Sequence, residues 1–190
     1  EYFMSYPDNV MVMRLTSDSK KGKLSRIISL ESLHTDKTIT ADSHTITMTG
    51  YPTPVSGDKR VGDAWKNGLK YAQQLVVKNK GGKISVVDGT KLKVEDADEI
   101  IVLMSAATNY VQCMDDSYNY FSQEDPLEKV QATLHKVADK KYTALLATHQ
   151  KDYHSLYDRM RLNLGNLPEA PVAPTDSLLK GMDENTNSEQ

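Results

Sequence analysis

The feature that most constrains the fold is a change in the spacing of apolar residues near position 122. Before this position apolar and polar side chains alternate one by one, as in residues 10–15 and 45–49, which is the pattern of half-buried strands. After it, apolar residues recur every three or four positions, as in amphipathic helices. Strands that are segregated from helices indicate an α+β arrangement. The sequence therefore predicts a mainly β chain with two C-terminal helices.

Glycine-rich turns separate the predicted strands. Gly81 and Gly82 lie between two strand-like stretches, residues 69–78 and 83–87. Because glycine reaches the positive φ angles of a tight turn, we expect a β-hairpin at this point. Short strands joined by such turns are typical of an antiparallel β-sandwich, here a partial one that resembles a supersandwich.

Residues 100–106 are the most apolar stretch of the β region. Their alternate positions are apolar on both sides, whereas the neighbouring stretches carry one polar face. A strand with two apolar faces must be covered on both sides. We therefore expect this stretch to form a central strand.

The two helices have recognisable limits. Asp125 is a predicted N-cap, with Pro126 in the first turn and Glu128 at the capping-box position. A second helix is expected over residues 142–164, ending at Gly165. Its apolar stripe is formed by Leu145, His149, Tyr153, Leu156 and Met160.

These patterns divide the chain into three predicted regions. Residues 1–122 form the β-sandwich domain, residues 123–166 a helical linker, and residues 167–190 an extended, flexible tail, because the last ten residues have no apolar periodicity. The chain also opens within a strand-like segment at Glu1. We therefore expect it to be a piece of a longer protein, and a stripe left uncovered on the second helix would favour self-association of the fragment.

Composition argues against several classes of function. The net charge is −3 and the basic residues are scattered, so neither nucleic acid nor a membrane is an expected partner. The single cysteine, Cys113, cannot form an intrachain disulfide. No spacing typical of a metal site, a nucleophile elbow, a phosphate loop or a dinucleotide fingerprint occurs in the sequence. We predict no catalytic residue, no metal ligand and no cofactor.

One loop combines carboxylates and aromatic rings, as sugar-binding surfaces do. Its candidate glycan-contacting residues are Asp115, Asp116, Tyr118 and Tyr120. The alternative is a solvated loop whose aromatic rings pack locally. Sequence spacing does not decide between the two interpretations.

Several stretches in colinear order resemble glycoside hydrolase family 95, the family of inverting α-L-fucosidases and some α-L-galactosidases. Residues 1–10 (EYFMSYPDNV) and 105–110 (SAATNY) are similar to segments of the family's N-terminal domain. His149 and the residues up to Gly165 are similar to its linker helix. Residues 174–176 match its PTD signature, although the usual continuation is replaced by Ser177-Leu178-Leu179.

The resemblance implies a non-catalytic role for this chain. In that family the catalytic residues lie in an (α/α)6 barrel after the linker, and no stretch here matches those segments. We therefore expect the later part of the N-terminal sandwich and the linker, inactive alone. Its expected partners are the parent's barrel and, through the parent, a fucosylated glycan, with an α-L-galactoside as the alternative substrate. A periplasmic or extracellular parent is expected.

A hypothesis of a different class stays open from the sequence alone. The chain could be an autonomous carbohydrate-binding or interaction module, with the loop of residues 115–121 contacting the ligand. The full-length reading frame discriminates between the two hypotheses. A helical-barrel sequence after the linker favours the hydrolase domain, and a natural stop near Gln190 favours the autonomous module.

Overall fold

The computed structural model describes residues 1–17, 23–52, 68–112 and 121–163, and these ranges contain nine strands and two helices. The first unit of the chain, Glu1–Leu156, carries both sheets. The strands are β1 (Tyr2–Ser5), β2 (Val10–Thr16), β3 (Leu24–Ile28), β4 (Lys37–Asp42), β5 (Thr45–Gly50), β6 (Tyr71–Lys80), β7 (Lys83–Val87), β8 (Lys91–Ala97) and β9 (Glu99–Thr108). The helices are α1 (Pro126–Val137) and α2 (Tyr142–Tyr157).

The strands form two antiparallel sheets. The larger sheet has six strands in the order β1-β2-β9-β6-β5-β4, and the smaller has three in the order β3-β8-β7. Every pair of neighbouring strands is antiparallel. The predicted fold class is therefore confirmed: the chain is mainly β, sandwich-like and not closed, with two helices at its C-terminal end.

Helices cover one face of the larger sheet. Strand residues two apart share a face, so Val10 and Val12 of β2 lie on the same side as Leu103 of β9, which pairs with Val12. The core on this side also contains residues from both helices. Its fully buried members are Val10, Val12, Ala72, Leu103, Val130, Leu134, Val137 and Leu145. The helices are therefore packed on the sheet and share its core.

The smaller sheet covers part of the opposite face. Ile46, Leu75 and Val77 of the larger sheet pack there against Leu92 and Val94 of β8. The buried members of this second core are Leu24, Ile46, Leu75, Val77, Leu92, Val94, Ala97 and Ile100. Three strands cannot cover six, so in the described part of the chain the smaller sheet leaves the rest of this face uncovered.

The predicted hairpin at Gly81 and Gly82 is wrong, although its turn chemistry is right. Both glycines have positive φ, 68° and 67°, as expected. However, β6 pairs with β5 and β9, whereas β7 pairs with β8 in the other sheet. The turn takes the chain from the larger sheet to the smaller one, next to the connection between β8 and β9, where the chain returns to the larger sheet. A β-carbon on Gly82 would collide with the Glu95 carbonyl oxygen, so close backbone packing at this corner requires glycine.

The predicted central strand is confirmed as β9. It pairs with β2 on one side and β6 on the other. Leu103 is buried under the helices, and Ile100 is buried under the smaller sheet. Val102 is only half-buried because the smaller sheet does not reach across it. Both faces of β9 are therefore apolar, as predicted, but the helices cover one face more completely than the smaller sheet covers the other.

Helix α1 begins as predicted. The Asp125 carboxylate accepts a hydrogen bond from the Leu127 amide at 2.9 Å, and Pro126 follows the cap. Val130, Leu134 and Val137 form its buried face. The capping residue and the apolar spacing together fix both where this helix starts and which side meets the sheet.

Helix α2 is shorter than predicted. It ends at Tyr157, whereas the sequence predicted an end at Leu164, which lies outside the described residues. Only Leu145 is buried along it, and the expected stripe is exposed at Tyr153 and Leu156. Helices in proteins owe most of their stability to packing, so an exposed second half adds little stability to further helical turns. No helix in the described ranges is long and apolar enough to cross a bilayer.

Candidate functional site

The candidate glycan-contacting residues Asp115, Asp116, Tyr118 and Tyr120 lie outside the described residues. The structure therefore describes only the two flanks of their loop. Tyr110 and Phe121 form an isolated antiparallel bridge there. The loop prediction stays a prediction.

A buried asparagine organises this end of the larger sheet. Asn109 is 4% exposed, and its side-chain oxygen accepts a hydrogen bond from the Lys70 amide at 2.7 Å. Its side-chain nitrogen donates to the carbonyl oxygens of Gly68, at 2.8 Å, and Ser122, at 3.3 Å. One side chain thus ties the end of β9 to the start of β6 and to the segment before α1. The sequence placed Asn109 only within a motif of resemblance and did not predict this role.

A polar cleft lies next to this junction, between the first turn of α1 and the strands β4 and β5. Its volume is about 390 Å³, which is within the range of small-ligand pockets. Its polar lining includes Asp36, Thr38, Thr49, Lys70, Tyr71, Gln123 and Asp125. We use the term polar cleft for this set.

The local sequence explains why the floor of the polar cleft is hydroxyl-rich. In β4 and β5, threonine alternates with apolar residues, and the register pairs Thr38 with Thr49 and Ile39 with Met48. Isoleucine and methionine take the face toward the smaller sheet, so the threonines take the face on which α1 lies. Helix α1 lies over β6 and β9 and does not extend over this edge. The threonine hydroxyls are therefore open to solvent beside the helix.

The charged side chains of the polar cleft form no ion pair with one another or with another described residue. No side-chain hydrogen bond or ion pair joins Asp36 or Lys70 to another described residue, and Asp125 makes only its capping bond to Leu127. The Tyr71 hydroxyl is buried and has no hydrogen-bond partner in the described part of the chain. A buried hydroxyl without a partner is unusual in a folded protein.

An apolar groove lies on the open part of the other face. Its volume is about 470 Å³, and Met11, Met13, Val102 and Met104 line its floor while Ile27 of β3 lines its wall. Strand β3 is the edge of the smaller sheet, so no other described strand pairs with its outer side. Around the groove Ile27 is 63% exposed. A continuous apolar surface of this kind marks a contact site rather than a solvated face.

The start of α2 is fixed to the sheet by rings and charges. The Arg14 guanidinium lies 4.8 Å from the centre of the Tyr142 ring and pairs with the carboxylates of Glu1 and Glu99. Burial, followed by the charge of Glu1, raises the pKa of the Tyr142 hydroxyl. Two turns further along, His149 stacks on Phe3 with ring centres 4.9 Å apart. His149 is thus a packing residue in this structure.

A buried carboxylate ties the β1–β2 turn to the segment between the helices. Asp8 accepts hydrogen bonds from the Ser5 hydroxyl at 2.7 Å and from the Lys140 ammonium at 2.6 Å. Burial acts to raise the Asp8 pKa, but the bonds from Lys140 and Ser5 outweigh it and hold the pKa below its ordinary value of 3.8. These contacts stabilise the ionised form and have an evident structural role.

The described residues hold no group of three or more histidine, cysteine or carboxylate side chains placed to bind a metal ion. The polar cleft is the most site-like feature of the described part, and the sequence singled out only Asp125 from it, as a helix cap. Its members come from four separate stretches of chain. Residues this far apart in sequence give no local signal, so only the strand register and the helix position bring them together.

Comparison with known proteins relates the chain to glycoside hydrolases. Residues 1–113 match the family model described as glycosyl hydrolase family 65, N-terminal domain. Probable alpha-fucosidase A of Aspergillus niger is 28% identical over 185 residues, which cover 94% of this chain and 22% of that protein. Alpha-L-fucosidase 2 of Arabidopsis thaliana is 32% identical over 178 residues, which cover 86% of this chain and 20% of that protein.

The chain spans about a fifth of the length of these two relatives. Both are fucosidases by name, which confirms the resemblance drawn from the sequence motifs. The family model covers more than half of the chain and includes every strand of both sheets. The chain therefore belongs to the family of glycosyl hydrolase family 65 N-terminal domains, and it is a glycoside hydrolase N-terminal domain.

Proposed function

We propose that this chain is the non-catalytic N-terminal β-sandwich and helical linker of an inverting α-L-fucosidase-type glycoside hydrolase acting on fucosylated glycans. Its role is to hold and orient the catalytic (α/α)6 barrel of the parent enzyme. The observation that carries the proposal is the alignment of 94% of this chain with 22% of an α-fucosidase. An alignment that uses nearly all of one chain and a small part of the other is expected of one region of a larger enzyme.

Surface apolar residues support the same proposal. On the second half of α2, Tyr153 is 48% exposed and Leu156 is 58% exposed. The first half of the helix is fixed to β1 and β2 through Phe3 and Arg14. A helix held at one end and apolar at the other offers a neighbouring domain a surface to pack against. The apolar groove is a second surface of this kind.

The proposed division of labour follows the three regions. Residues 1–122 form the sandwich, residues 123–166 the linker that meets the barrel, and residues 167–190 an extended connection. In the parent, the exposed side of α2 is covered by the barrel. In the isolated chain, the same surface causes self-association.

The first test is an activity measurement on two proteins. We expect the purified chain alone to release no fucose from fucosyl-lactose above a matched blank, and the protein from the full-length reading frame to release it. Parallel assays with an α-L-fucoside and an α-L-galactoside of the same leaving group would assign the substrate. Fucose release by the isolated chain, or a full-length frame without a helical barrel after the linker, contradicts the proposal.

The second test addresses the surface of α2. In the full-length protein we expect Tyr153→Ser combined with Leu156→Ser to lower the melting temperature, because the substitutions remove two apolar side chains on which the barrel is proposed to pack. In the isolated chain the same variant should leave the melting temperature nearly unchanged and reduce self-association in sedimentation velocity. Lys136→Ser, on the exposed side of α1, is the matched control. An unchanged full-length melting temperature would show that the barrel does not pack on α2.

A further inference from the structure

We infer that the apolar groove is the docking site of a β-strand segment of the parent enzyme that lies outside this chain. The segment pairs with the free edge of β3 and covers the exposed part of the larger sheet. The inference rests on the proposed function, because a longer enzyme must supply the segment. It goes beyond that function by identifying the edge, the surface and the chemistry of the segment that docks there.

The first argument is the exposure of the groove floor and of the strand beside it. Neighbouring strands place five apolar side chains on one face, and we call them the open floor: Tyr2 and Met4 of β1, Met11 and Met13 of β2, and Met104 of β9. Their exposure increases from β9 toward β1. Met104 and Met11 are half-buried, whereas Met4, in the same cross-strand row, is 62% exposed. The cover that the smaller sheet provides therefore ends part of the way across the larger sheet.

The opposite face of the same strands is fully covered. Val12 lies between Met11 and Met13 in β2 and is 0% exposed under the helices, and its neighbour Leu103 in β9 is 1% exposed. The two faces carry apolar side chains of similar size, and they differ only in the layer above them. A contiguous apolar surface that is left open in this way marks a contact site.

The second argument is the fit of an extended segment. From β9 to β1 the sheet advances by two strands, which is roughly 10 Å, so the uncovered width takes about two strands of an opposing layer. Strand β3 is the edge of that layer, and no other described strand pairs with its outer side. A segment added to this edge gains backbone hydrogen bonds from β3 and places alternate side chains on the open floor.

The third argument is the charge of Arg26. Arg26 pairs with Val94, whose side chain is buried between the sheets, so Arg26 also lies on the inner side of β3. Its guanidinium donates to the adjacent Ser25 carbonyl oxygen, and no described carboxylate forms an ion pair with it. Among the described lining residues it is the one that carries a charge. Because an unpaired charge between two layers is unfavourable, the docked segment must bring a carboxylate to Arg26.

The fourth argument excludes a second copy of the chain as the occupant. Two copies joined through antiparallel β3 strands are related by a twofold axis perpendicular to the sheet, so both larger sheets lie on the same side of the joined layer. The larger sheet of each copy extends past β3 by about two strands. The two larger sheets would therefore occupy the same space. The occupant must be a strand that carries no second layer of its own beneath it.

The source of the segment follows from the cost of leaving this site empty. A free strand edge beside an open apolar floor promotes aggregation, so the cover must be permanent, as a segment of the same polypeptide is. The parent has the chain to supply it, since the aligned region is 22% of the Aspergillus niger relative. The expected segment alternates apolar residues with polar ones and carries an aspartate or glutamate opposite Arg26.

The test is hydrogen exchange followed by mass spectrometry, in the full-length protein and in the isolated chain. The outer amides of residues 24–28 have no described partner strand, so we expect them to exchange rapidly in the isolated chain. In the full-length protein they should exchange at least about tenfold more slowly. Strand β6, which is paired on both sides, is the matched control and should exchange equally in the two proteins.

The outcomes separate this inference from the proposed function. A full-length protein that releases fucose but leaves β3 unprotected overturns the inference and leaves the proposed function intact. A full-length protein that protects β3 but releases no fucose does the reverse. Protection of β3 in the isolated chain also overturns the inference: if dilution removes it, the occupant is a second copy, and if it is independent of concentration, the occupant is a segment of this chain.

Two variants test the chemistry of the contact. In the full-length protein, Arg26→Glu should lower the melting temperature by several degrees and speed exchange in β3, because like charges then meet in the groove. In the isolated chain it should change little, since Arg26 is exposed. Lys91→Glu, a charge reversal at an exposed position of β8 in the same sheet, is the matched control. Equal effects of Arg26→Glu and Lys91→Glu on the full-length protein contradict the docked carboxylate.

Met13→Asp tests the open floor. It should lower the melting temperature of the full-length protein much more than that of the isolated chain, because the new carboxylate is buried only when the segment is docked. Equal losses in the two proteins show that nothing outside this chain covers the floor, and they overturn the inference.

Discussion

Replacing Leu103 by alanine tests whether the helices and the larger sheet share one core. Leu103 lies in the central strand β9, is 1% exposed, and packs in the core that α1 completes with Val130 and Leu134. A buried leucine changed to alanine costs about 2–5 kcal/mol, and the cost rises with the cavity that remains. Neighbouring strands hold Leu103 from both sides, so the site cannot collapse easily. We expect a loss of about 3–4 kcal/mol in the free energy of unfolding.

Val102→Ala is the matched control, since it lies in the same strand and points to the opposite face. Val102 is half-buried and borders the apolar groove. Its truncation removes less apolar surface and leaves an open site rather than a closed cavity, so we expect a loss of about 1 kcal/mol. The difference between the two variants measures how unequally the two faces of β9 are covered.

The assay is urea denaturation followed by far-ultraviolet circular dichroism, with the slope and midpoint fitted for each variant. The double variant Leu103→Ala with Val130→Ala should deviate from additivity by about 0.5–3 kcal/mol, because residues that share a core are coupled. Equal costs for Leu103→Ala and Val102→Ala, or strict additivity of Leu103 with Val130, would refute the packing of α1 on this face.

Three further predictions concern local structure. The Asp8 pKa is lower in the folded chain than its ordinary value of 3.8. The stability that the ionised carboxylate contributes is therefore present above pH 3.8 and is lost as the pH falls below it. Urea midpoints measured against pH should show this loss, and the pH dependence should be smaller in Lys140→Met. Gly82→Ala should lower the melting temperature more than Gly89→Ala, since both glycines have positive φ but only Gly82 faces backbone at close range. Asp125→Ala should cost about 1 kcal/mol in urea denaturation, because the first turn of α1 loses its cap. A flat acid profile, equal glycine effects or an unchanged midpoint, respectively, would contradict them.

The elements that the sequence predicted well are those with a local cause. Alternation within residues 10–15 and 45–49 predicted β2 and β5, and Asp125 with Pro126 predicted the start of α1. In each case the cause lies within a few residues, where side-chain period or capping chemistry decides. The strand β4 (Lys37–Asp42) was missed, although Ile39 and Ala41 alternate with polar residues within it.

The hairpin at Gly81 and Gly82 shows where local reasoning stops. Paired glycines with positive φ fit a tight turn whether the next strand pairs with the previous one or leaves for another sheet. The choice here is made by partners far away in sequence, because β9 already occupies one edge of β6 and β5 the other. No pattern inside residues 69–87 carries that information.

The polar cleft was hidden for the same reason. Asp36 and Tyr71 are far apart in sequence, and Asp125 had a sufficient explanation as a cap. What joins them is the register of β5 between β4 and β6, together with the position at which the first turn of α1 begins. The loop that the sequence singled out, residues 115–121, was chosen because its carboxylates and aromatic rings are adjacent in the sequence, whereas the residues of the polar cleft are not.

The apolar groove separates two properties that a sequence pattern combines. The alternation of apolar and polar residues predicts that Met11, Met13 and Met104 lie on an apolar face of the sheet. The same alternation occurs whether that face is covered by another layer or open. Coverage depends on the number of strands in the opposing layer, which is three against six. Methionine is flexible and polarisable, so it fits a surface that must accept a neighbouring layer without a single fixed shape. Three methionines on this face therefore suit the contact surface that we propose for the apolar groove.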